Sequence, residues 1–330
     1  LEDVQFAVDS LPASYSAANK GRVTKGAALT LKAKVQMTLI QNPPAGWQET
    51  ITWNEAVTTL EALTKSPFAY SLETDYIKCF DPTNKNGKES VFEVQFGETV
   101  NDNNGLVFSW FPLGESAWKD HFGADAPGEG NGTQWNIPTL DLLNAYEPGD
   151  PRLDVSVDTV FAGTPDAVIF IDKWMKYSVD TKETPTRNPC NMPIYRFADV
   201  KLMLAEAYLR AGETGKAQTQ LDDVRNRAFA PGTPPAVTVS EDAIAKERRV
   251  ELAFEGHRWF DLLRTDKAQA VMAAYGGIER SDPTNAKRKE PQYKIPAAAF
   301  EVDDYELRYP VPYYEWIKNP SITTQNPGWQ

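Results

Sequence analysis

Residues 246–264 read Lys246-Glu-Arg-Arg-Val-Glu-Leu-Ala-Phe-Glu-Gly-His-Arg-Trp-Phe-Asp-Leu-Leu-Arg264, and their spacing predicts one helix over residues 240–265. Opposite charges recur three residues apart, and such residues are neighbours on a helix. The predicted pairs are Arg248 with Glu251, Glu255 with Arg258, and Arg258 with Asp261. Large apolar residues surround the axis, which predicts burial on most sides. An unpaired buried charge costs several kcal/mol, so we expect a structural ion-pair network here.

Other motifs accompany this stretch in a fixed order along the chain. They are Gly21-Arg-Val-Thr-Lys-Gly-Ala-Ala28, Ile137-Pro-Thr-Leu-Asp-Leu-Leu-Asn-Ala-Tyr-Glu147, Asp150-Pro-Arg152, Arg196-Phe-Ala-Asp-Val-Lys-Leu-Met-Leu-Ala-Glu-Ala207, Pro310-Val-Pro312 and Asn326-Pro-Gly-Trp329. Together with residues 246–264 they resemble the SusD/RagB family of outer-membrane nutrient-binding lipoproteins. The resemblance covers essentially all 330 residues. It implies a single SusD-like domain over residues 1–330 that lacks the family's N-terminal portion.

The predicted fold is mainly α, with tetratricopeptide-like helical hairpins, large irregular loops and a few short strands. Apolar residues at helical spacing predict hairpins over residues 21–66 and 195–228, the second of which is also compatible with a plain two-helix hairpin. Residues 81–136 are rich in Asn, Gly, Asp and Pro, and they predict a variable loop region. Within and after it, residues 90–96 and 167–171 have the pattern of strands.

The composition excludes several classes of function. A net charge of −12 repels phosphate backbones, so we expect no nucleic-acid partner. The two cysteines, Cys79 and Cys190, form no metal or redox motif. With only His121 and His257 available for imidazole chemistry, the sequence predicts no metal site and no cofactor.

The candidate ligand site is a run of aromatic and polar residues in the predicted loop region. Its members are Trp110, Phe111, Trp118, Asp120, His121 and Trp135. Exposed aromatic rings on a rigid frame are typical of recognition surfaces, and a ring can cover one face of a pyranose. Neighbouring polar groups would then bind the sugar hydroxyls. For each tryptophan the alternative interpretation is packing in the core.

The resemblance implies a non-catalytic protein that binds oligosaccharides or polysaccharides and delivers them to a SusC-like TonB-dependent β-barrel transporter. It also implies attachment to the extracellular face of the outer membrane through a lipid anchor outside this chain. One alternative is a glycoside hydrolase that uses Glu251 and Glu255, since glycosidases need two carboxylates across a cleft. Ion pairing explains these two residues without catalysis. The second alternative is a repeat-type scaffold that binds a protein or peptide.

Overall fold

The computed structural model describes residues 1–99, 101–112, 114–123, 132–164, 166–175, 188–281 and 297–329. Helices α1 to α13 span Glu2–Ser10, Lys25–Gln41, Trp53–Ala62, Leu106–Trp110, Glu115–Phe122, Leu140–Leu143, Arg152–Ser156, Phe197–Arg210, Thr214–Phe229, Glu241–Glu251, Arg258–Arg264, Ala268–Ser281 and Tyr313–Lys318. Strands β1 to β4 span Ser90–Val94, Val157–Val160, Val168–Ile171 and Met192–Arg196. The predicted mainly α fold with a few short strands is confirmed.

Two helical hairpins, α2–α3 and α8–α9, lie within the predicted ranges 21–66 and 195–228. Helix α3 begins with a capping box, in which Thr52 and Glu55 each bond to the other's backbone N–H. This arrangement satisfies two backbone donors that a helix start otherwise leaves without partners. Between α8 and α9 the chain turns at Gly212, whose φ of +83° favours glycine.

The hairpins share a core of buried apolar side chains. Helix α3 packs against both α2 and α8, and α10 packs against α8 and α9. Met37, Leu60 and Leu63 are among its largest fully buried members. Burying a side chain of this size stabilises the fold by about 1.5–3 kcal/mol. This core holds the two hairpins in one frame.

Two antiparallel strand pairs complete the regular structure of the described residues. Strand β1 pairs with β4, and β2 pairs with β3. Strands β1 and β3 lie within the predicted ranges 90–96 and 167–171. The sequence did not indicate β2 and β4, which are short. Strand β4 also contains Pro193, and proline is unfavourable in a strand because it has no backbone N–H to donate. Strand β4 ends at Arg196, opposite Ser90 of β1.

A second cluster of buried side chains, here called the aromatic core, includes part of the predicted loop region. Its buried members are Tyr76, Phe80, Val107, Trp110, Phe111, Ala117, Trp118, Val160, Phe170, Ile171, Trp174, Met175 and Cys190. Helices α4 and α5 supply four of them, so residues 81–136 are not the uniform loop that the sequence predicts. Packing decides this difference, because each helix is too short to show a clear period. Residues 100, 113 and 124–131 of this region lie outside the described part of the chain.

The predicted single helix over residues 240–265 is wrong. Helix α10 ends at Glu251 and α11 begins at Arg258, with a turn between them. Phe254 and Gly256 in this turn have φ values of +67° and +79°. Such left-handed conformations end a helix, and Phe254 packs against the aromatic core.

The described chain divides into two compact units, Leu1–Arg258 and Trp259–Gln330, whereas the sequence predicts one domain. Helices α1 to α10 and all four strands belong to the first unit. The second unit contains α12, α13 and most of α11. No helix among the described residues combines the length and the apolar character that crossing a membrane requires.

Candidate functional site

Glu251, the central acidic residue of the 246–264 stretch, lies at the end of α10 with no exposed surface. Its carboxylate accepts hydrogen bonds from Arg152 at 2.9 Å and from Arg196 at 3.0 Å. Arg227 donates a third, short hydrogen bond to the same carboxylate. These arginines come from α7, β4 and α9, so the partners of Glu251 lie far from it in the sequence.

Glu255, in the turn after α10, bonds to two cations, one of which it shares with Glu251. Lys173 Nζ lies 2.6 Å from its Oε1, and Arg196 Nε lies 2.7 Å from its Oε2. Lys173 is fully buried, and its ammonium lies 4.4 Å from the ring centroid of Phe80. Arg196 therefore bridges the two glutamates, and Lys173 joins this charged group to the aromatic core.

Two further carboxylates close the network. Glu89 accepts from Arg196 at 2.5 Å and from Arg227 at 2.6 Å. Glu247 accepts from Arg152 at 2.5 Å and from Arg225 at 2.9 Å. With Asp150 on Arg152, the described network has five carboxylates and five cations with buried side chains, and Glu147 and Lys246 extend it at the edge through Arg225. The buried members are Glu89, Asp150, Glu247, Glu251 and Glu255, and Arg152, Lys173, Arg196, Arg225 and Arg227.

The surrounding charges decide the ionisation of these groups. Burial by itself raises the pKa of Glu251, but the nearby guanidinium groups outweigh it and lower the pKa to about 2. The pKa of Glu255 is lowered in the same way by Arg196 and Lys173, against the effect of burial. Burial dominates at Lys173 and lowers its pKa to about 8 despite the contact with Glu255. Both glutamates are thus anionic near neutral pH.

A pair of carboxylates in this environment is badly placed for hydrolysis of a sugar. Retaining and inverting glycosidases need one protonated acid and room for the substrate between the two groups. Here both side chains are at most 1% exposed, and both carboxylates bond to cations. The geometry supports a structural role for Glu251 and Glu255.

The other predicted members of the ion-pair network also have partners. Arg248 Nη1 lies 2.8 Å from Asp199 of α8, and the same aspartate lies 3.0 Å from Lys34 of α2. In the second unit, Asp261 pairs with Arg264 at 3.0 Å. Of the predicted pairs, the break at residues 252–257 separates Glu255 from Arg258, whereas Arg248 and Glu251 both lie in α10 and Arg258 and Asp261 both lie in α11. Arg258 is the first residue of α11.

The predicted aromatic platform is largely buried, which corrects the expectation that its rings face solvent. Trp110, Phe111 and Trp118 are 7%, 1% and 1% exposed. The rings of Phe111 and Trp118 meet edge to face with centroids 5.3 Å apart, and Trp110 lies 5.1 Å from Trp174. These residues fill the aromatic core because short helices α4 and α5 turn their apolar faces inward. They present no open surface to a sugar in this structure.

Asp120 and His121, at the end of α5, have different surroundings. Asp120 is exposed, and its carboxylate accepts a hydrogen bond from the Phe161 N–H at 2.6 Å. His121 is mostly buried, with Nδ1 3.2 Å from Asp158 and Nε2 3.5 Å from Asp172. The ligand atoms of His121 and these two aspartates lie within 4.8 Å of one another, so this group has donors suitable for a metal ion. The same geometry is also explained without a metal if His121 forms an ion pair with Asp158 through one ring nitrogen and with Asp172 through the other.

Trp135 is the predicted aromatic residue that faces solvent, with 63% of its surface exposed. Its backbone N–H donates to Ser109 at 2.7 Å, and that of Gln134 donates to Phe111 at 3.0 Å. Gln134 and Asn136 both have left-handed φ values, +58° and +55°. Such conformations cost about 1–3 kcal/mol each and occur often at functional sites. The backbone of segment 132–136 is therefore anchored on residues 109–111, and the indole of Trp135 faces solvent.

Gly132 makes this close approach possible. A Cβ atom at this position would lie 2.1 Å from the carbonyl oxygen of Phe111 and 2.5 Å from that of Pro112. Any side chain would therefore push segment 132–136 away from residues 109–112. The sequence shows that position 132 is a glycine. It does not show why glycine is required there, because the backbone that approaches Gly132 is known only from the structure.

The long-range partners of Glu251 are the functional residues that sequence reasoning missed. Arg152 and Arg196 stand in motifs that were recognised, and nothing in their spacing indicates that both bond to one carboxylate. Arg227 and Lys173 carried no sequence signal at all. An excess of arginine in otherwise apolar helices is the only general sign that a sequence gives of such a network.

Comparison with known proteins places these features in context. The sequence profile of the SusD family matches residues 154–329. SusD-like protein P38 of Formosa agariphila is 32% identical over 186 residues, which cover 52% of this chain and 35% of that protein. SusD-like protein P25 of the same organism is 24% identical over 98% of this chain and 62% of its own length. The chain thus spans less than two thirds of either relative.

Solved structures of similar fold cover nearly the whole chain. Surface glycan-binding protein A from Bacteroides uniformis has a TM-score of 0.72 and 25% identity, over 98% of this chain and 67% of that one. A laminarin-binding SusD-like protein has a TM-score of 0.70 and 25% identity, over 99% of this chain and 68% of that one. Since the family profile matches more than half of the sequence and the fold agrees over almost all of it, this chain belongs to the SusD family.

Proposed function

We propose that this chain is part of a non-catalytic, cell-surface protein that binds glycans. The observation that carries the proposal is the similarity, over 98–99% of the chain, to two SusD-family proteins whose names state glycan or laminarin binding. The chain covers only about two thirds of those proteins, so the activity of the whole protein is also something that we propose.

Trp135 is our candidate for direct contact with the sugar. Its exposed indole is large and flat, and removing about 100 Å² of apolar surface from water stabilises a complex by about 2.5 kcal/mol. Part of this gain is lost in ordering the ligand, so we expect dissociation constants on the order of micromolar to millimolar. Asp120, exposed at the end of α5, offers a carboxylate to sugar hydroxyls.

Two finer features follow from the family resemblance. We propose that the whole protein is attached to the outer face of the outer membrane by a lipid, and that it delivers oligosaccharides to a SusC-like TonB-dependent transporter. Purification of the full-length protein from mildly solubilised outer membranes tests the partner. Recovery of a stoichiometric β-barrel transporter is expected, and its repeated absence after cross-linking would contradict this part of the proposal.

Affinity electrophoresis tests glycan binding. The chain is run through gels that contain laminarin, starch or xylan, and the reduction in mobility is compared with that of Trp135→Ala and Trp135→Phe. We expect Trp135→Ala to weaken the retardation by at least about tenfold in apparent affinity, since stacking on an aromatic ring is worth on the order of 1.4 kcal/mol or more. Trp135→Phe retains a ring and should retain part of the binding. If none of the three glycans retards the chain, the proposal of glycan binding is wrong.

The non-catalytic part of the proposal has its own test. The chain is incubated with oligosaccharides of the same three glycans, and new reducing ends are measured over time. We expect none, because Glu251 and Glu255 are buried and bonded to cations. Turnover by the unsubstituted chain would contradict this part of the proposal, and its loss in a Glu251→Gln variant that is still folded would favour the hydrolase alternative.

A further inference from the structure

A groove of about 480 Å³ lies in the first unit, between α8, α9 and the segment that follows α3. Its floor is one face of α8, where Phe197, Lys201 and Tyr208 recur at helical spacing. Tyr70 forms part of one wall, and Gln220 of α9 forms part of the other. The volume lies within the range of about 300–1,000 Å³ that is typical of small-molecule sites.

The charges of the groove cancel. Lys201 Nζ lies 2.7 Å from Asp223 Oδ2, and it donates to Gln220 Oε1 at 3.1 Å. The same ammonium lies 5.5 Å from the ring centroid of Phe197. An anionic or cationic ligand would have to separate the pair of Lys201 and Asp223. The groove therefore favours an uncharged ligand.

The pair of Lys201 and Asp223 still has hydrogen-bonding capacity to offer a ligand. The contacts given above use two of the three ammonium hydrogens of Lys201 and one oxygen of Asp223. Asp223 is exposed, with 45% of its side chain accessible. Ser71 places a hydroxyl at the opposite rim. These groups suit a ligand that donates and accepts hydrogen bonds at several neighbouring positions, which is the chemistry of hydroxyl groups.

The aromatic side chains of the groove are held in place. The Tyr208 hydroxyl donates to Glu61 at 2.6 Å, and the ring of Tyr70 stacks on Phe68 with centroids 5.7 Å apart. Phe197 and Tyr208 are only 4% and 6% exposed, so half-buried Tyr70 is the ring that a ligand can reach, and its fixed position keeps the cost in side-chain entropy low. One fixed, half-buried ring beside neutral polar groups matches a small molecule that has an apolar face and a rim of hydroxyls.

We propose that this groove is a second binding site, which takes a neutral sugar ring. It uses α8, α9 and residues 64–72, and it shares no lining residue with the segment around Trp135. The assignment rests on the proposed glycan-binding function and adds a separate point of contact. Two weak sites on one chain raise the apparent affinity for a long polysaccharide, because the second contact is intramolecular.

The experiment uses Trp135→Ala as the background, so that binding at the groove is measured alone. Ser71→Phe fills the rim of the groove, and Lys201→Met removes the ammonium while keeping the length of the side chain. Ser14→Phe is the matched control, since Ser14 is exposed and lies outside the groove. Each double variant is run in gels that contain laminarin, starch or xylan, and its thermal unfolding is recorded to verify the fold.

We expect residual retardation of the Trp135→Ala chain, and a loss of about tenfold in apparent affinity on adding Ser71→Phe or Lys201→Met. Ser14→Phe should leave the residual retardation unchanged. If Trp135→Ala alone removes all binding, or if both groove variants bind as the background does, the groove is not a sugar site, while the proposed function stands. If the unsubstituted chain is retarded by none of the glycans, both proposals fail.

Discussion

Glu251 is surrounded by three guanidinium groups and has no contact with solvent. The cost of removing this carboxylate from water is large, and it is offset only while the cations stay within hydrogen-bond distance. The same condition applies to each arginine of the network. A single substitution therefore has an effect that depends on the charges it leaves behind more than on the contact it removes.

We expect Glu251→Gln to destabilise the fold by about 3–5 kcal/mol, because it leaves buried guanidinium groups without a counter-charge. Urea denaturation at neutral pH measures the change in the free energy of unfolding. The matched control is Glu49→Gln on the exposed loop before α3, for which a change within about 0.5 kcal/mol is expected. Equal stability of the two variants would show that the network does not contribute to stability.

His257, in the turn between α10 and α11, gives a prediction on pH. Its Nδ1 lies 3.1 Å from Lys34 Nζ, with Asp199 and Arg248 also nearby. Burial first, and then the positive charges of Lys34 and Arg248, lower the pKa of His257 from 6.5 to about 4, although Asp199 opposes them. The folded state thus keeps a neutral imidazole at a pH where the unfolded chain binds a proton.

The free energy of unfolding should therefore decrease as the pH falls from about 6.5 to about 4. Replacing the imidazole with an amide in His257→Gln should remove this part of the pH dependence. Urea unfolding at a series of pH values compares the two proteins. If their slopes agree across this range, His257 is not the group responsible.

At the scale of elements, α4 and α5 bury tryptophans that the sequence offers as ligands. We expect Trp118→Ala to destabilise the fold by about 3–5 kcal/mol, because it leaves a large cavity beside Phe111 and Phe122. Trp135→Ala, which removes an exposed ring, should change stability little. The two free energies of unfolding are compared directly, and similar losses in both variants would contradict the assignment of Trp118 to the core.

The segment 132–136 gives a second prediction at this scale. Gly132→Ala introduces a Cβ against the carbonyl groups of Phe111 and Pro112, so the segment must shift. Glycan retardation should fall as Trp135 moves with it. Gly215→Ala in α9 is the control, because a Cβ there meets no atom within 4 Å. Unchanged glycan retardation in Gly132→Ala would mean that the position of Trp135 does not matter.

The helical hairpins and the strands β1 and β3 were predictable because their patterns are local. The apolar spacing of α2–α3 and α8–α9, the caps Thr24 and Thr52 of the first hairpin and the turn at Gly212 of the second can all be read within about forty residues. The exposure of Trp135 and the burial of Trp118 could not be predicted in this way. Both depend on which segments pack against residues 109–122, and those partners come from residues 157–175. The break between α10 and α11 likewise depends on the packing of Phe254.

At the scale of the whole molecule, the buried carboxylates link stability to pH. The pKa values of Glu251, Glu255 and Asp199 are all below their ordinary values. Their contribution to stability is complete above the unfolded pKa values of about 4–4.5 and is lost as the pH falls towards about 2.

We therefore expect cooperative acid unfolding, with a steep decrease in the free energy of unfolding below about pH 4.5. Far-UV circular dichroism and tryptophan fluorescence measured during an acid titration should change together. Added salt should shift this transition only slightly, since buried pairs are poorly screened. A native spectrum that persists well below pH 2 would contradict the role of these groups.

The order of charges along the chain has a consequence for biosynthesis. Lys173 leaves the ribosome before Glu255, its carboxylate partner, whereas Arg152 follows its partner Asp150, and Arg196 and Arg227 follow their partner Glu89. Until the turn after α10 has been translated, the Lys173 ammonium has a lower energy in water than in the interior. The nascent chain should thus keep Lys173 hydrated, and burial of its ammonium beside Phe80 should wait for the emergence of residue 255.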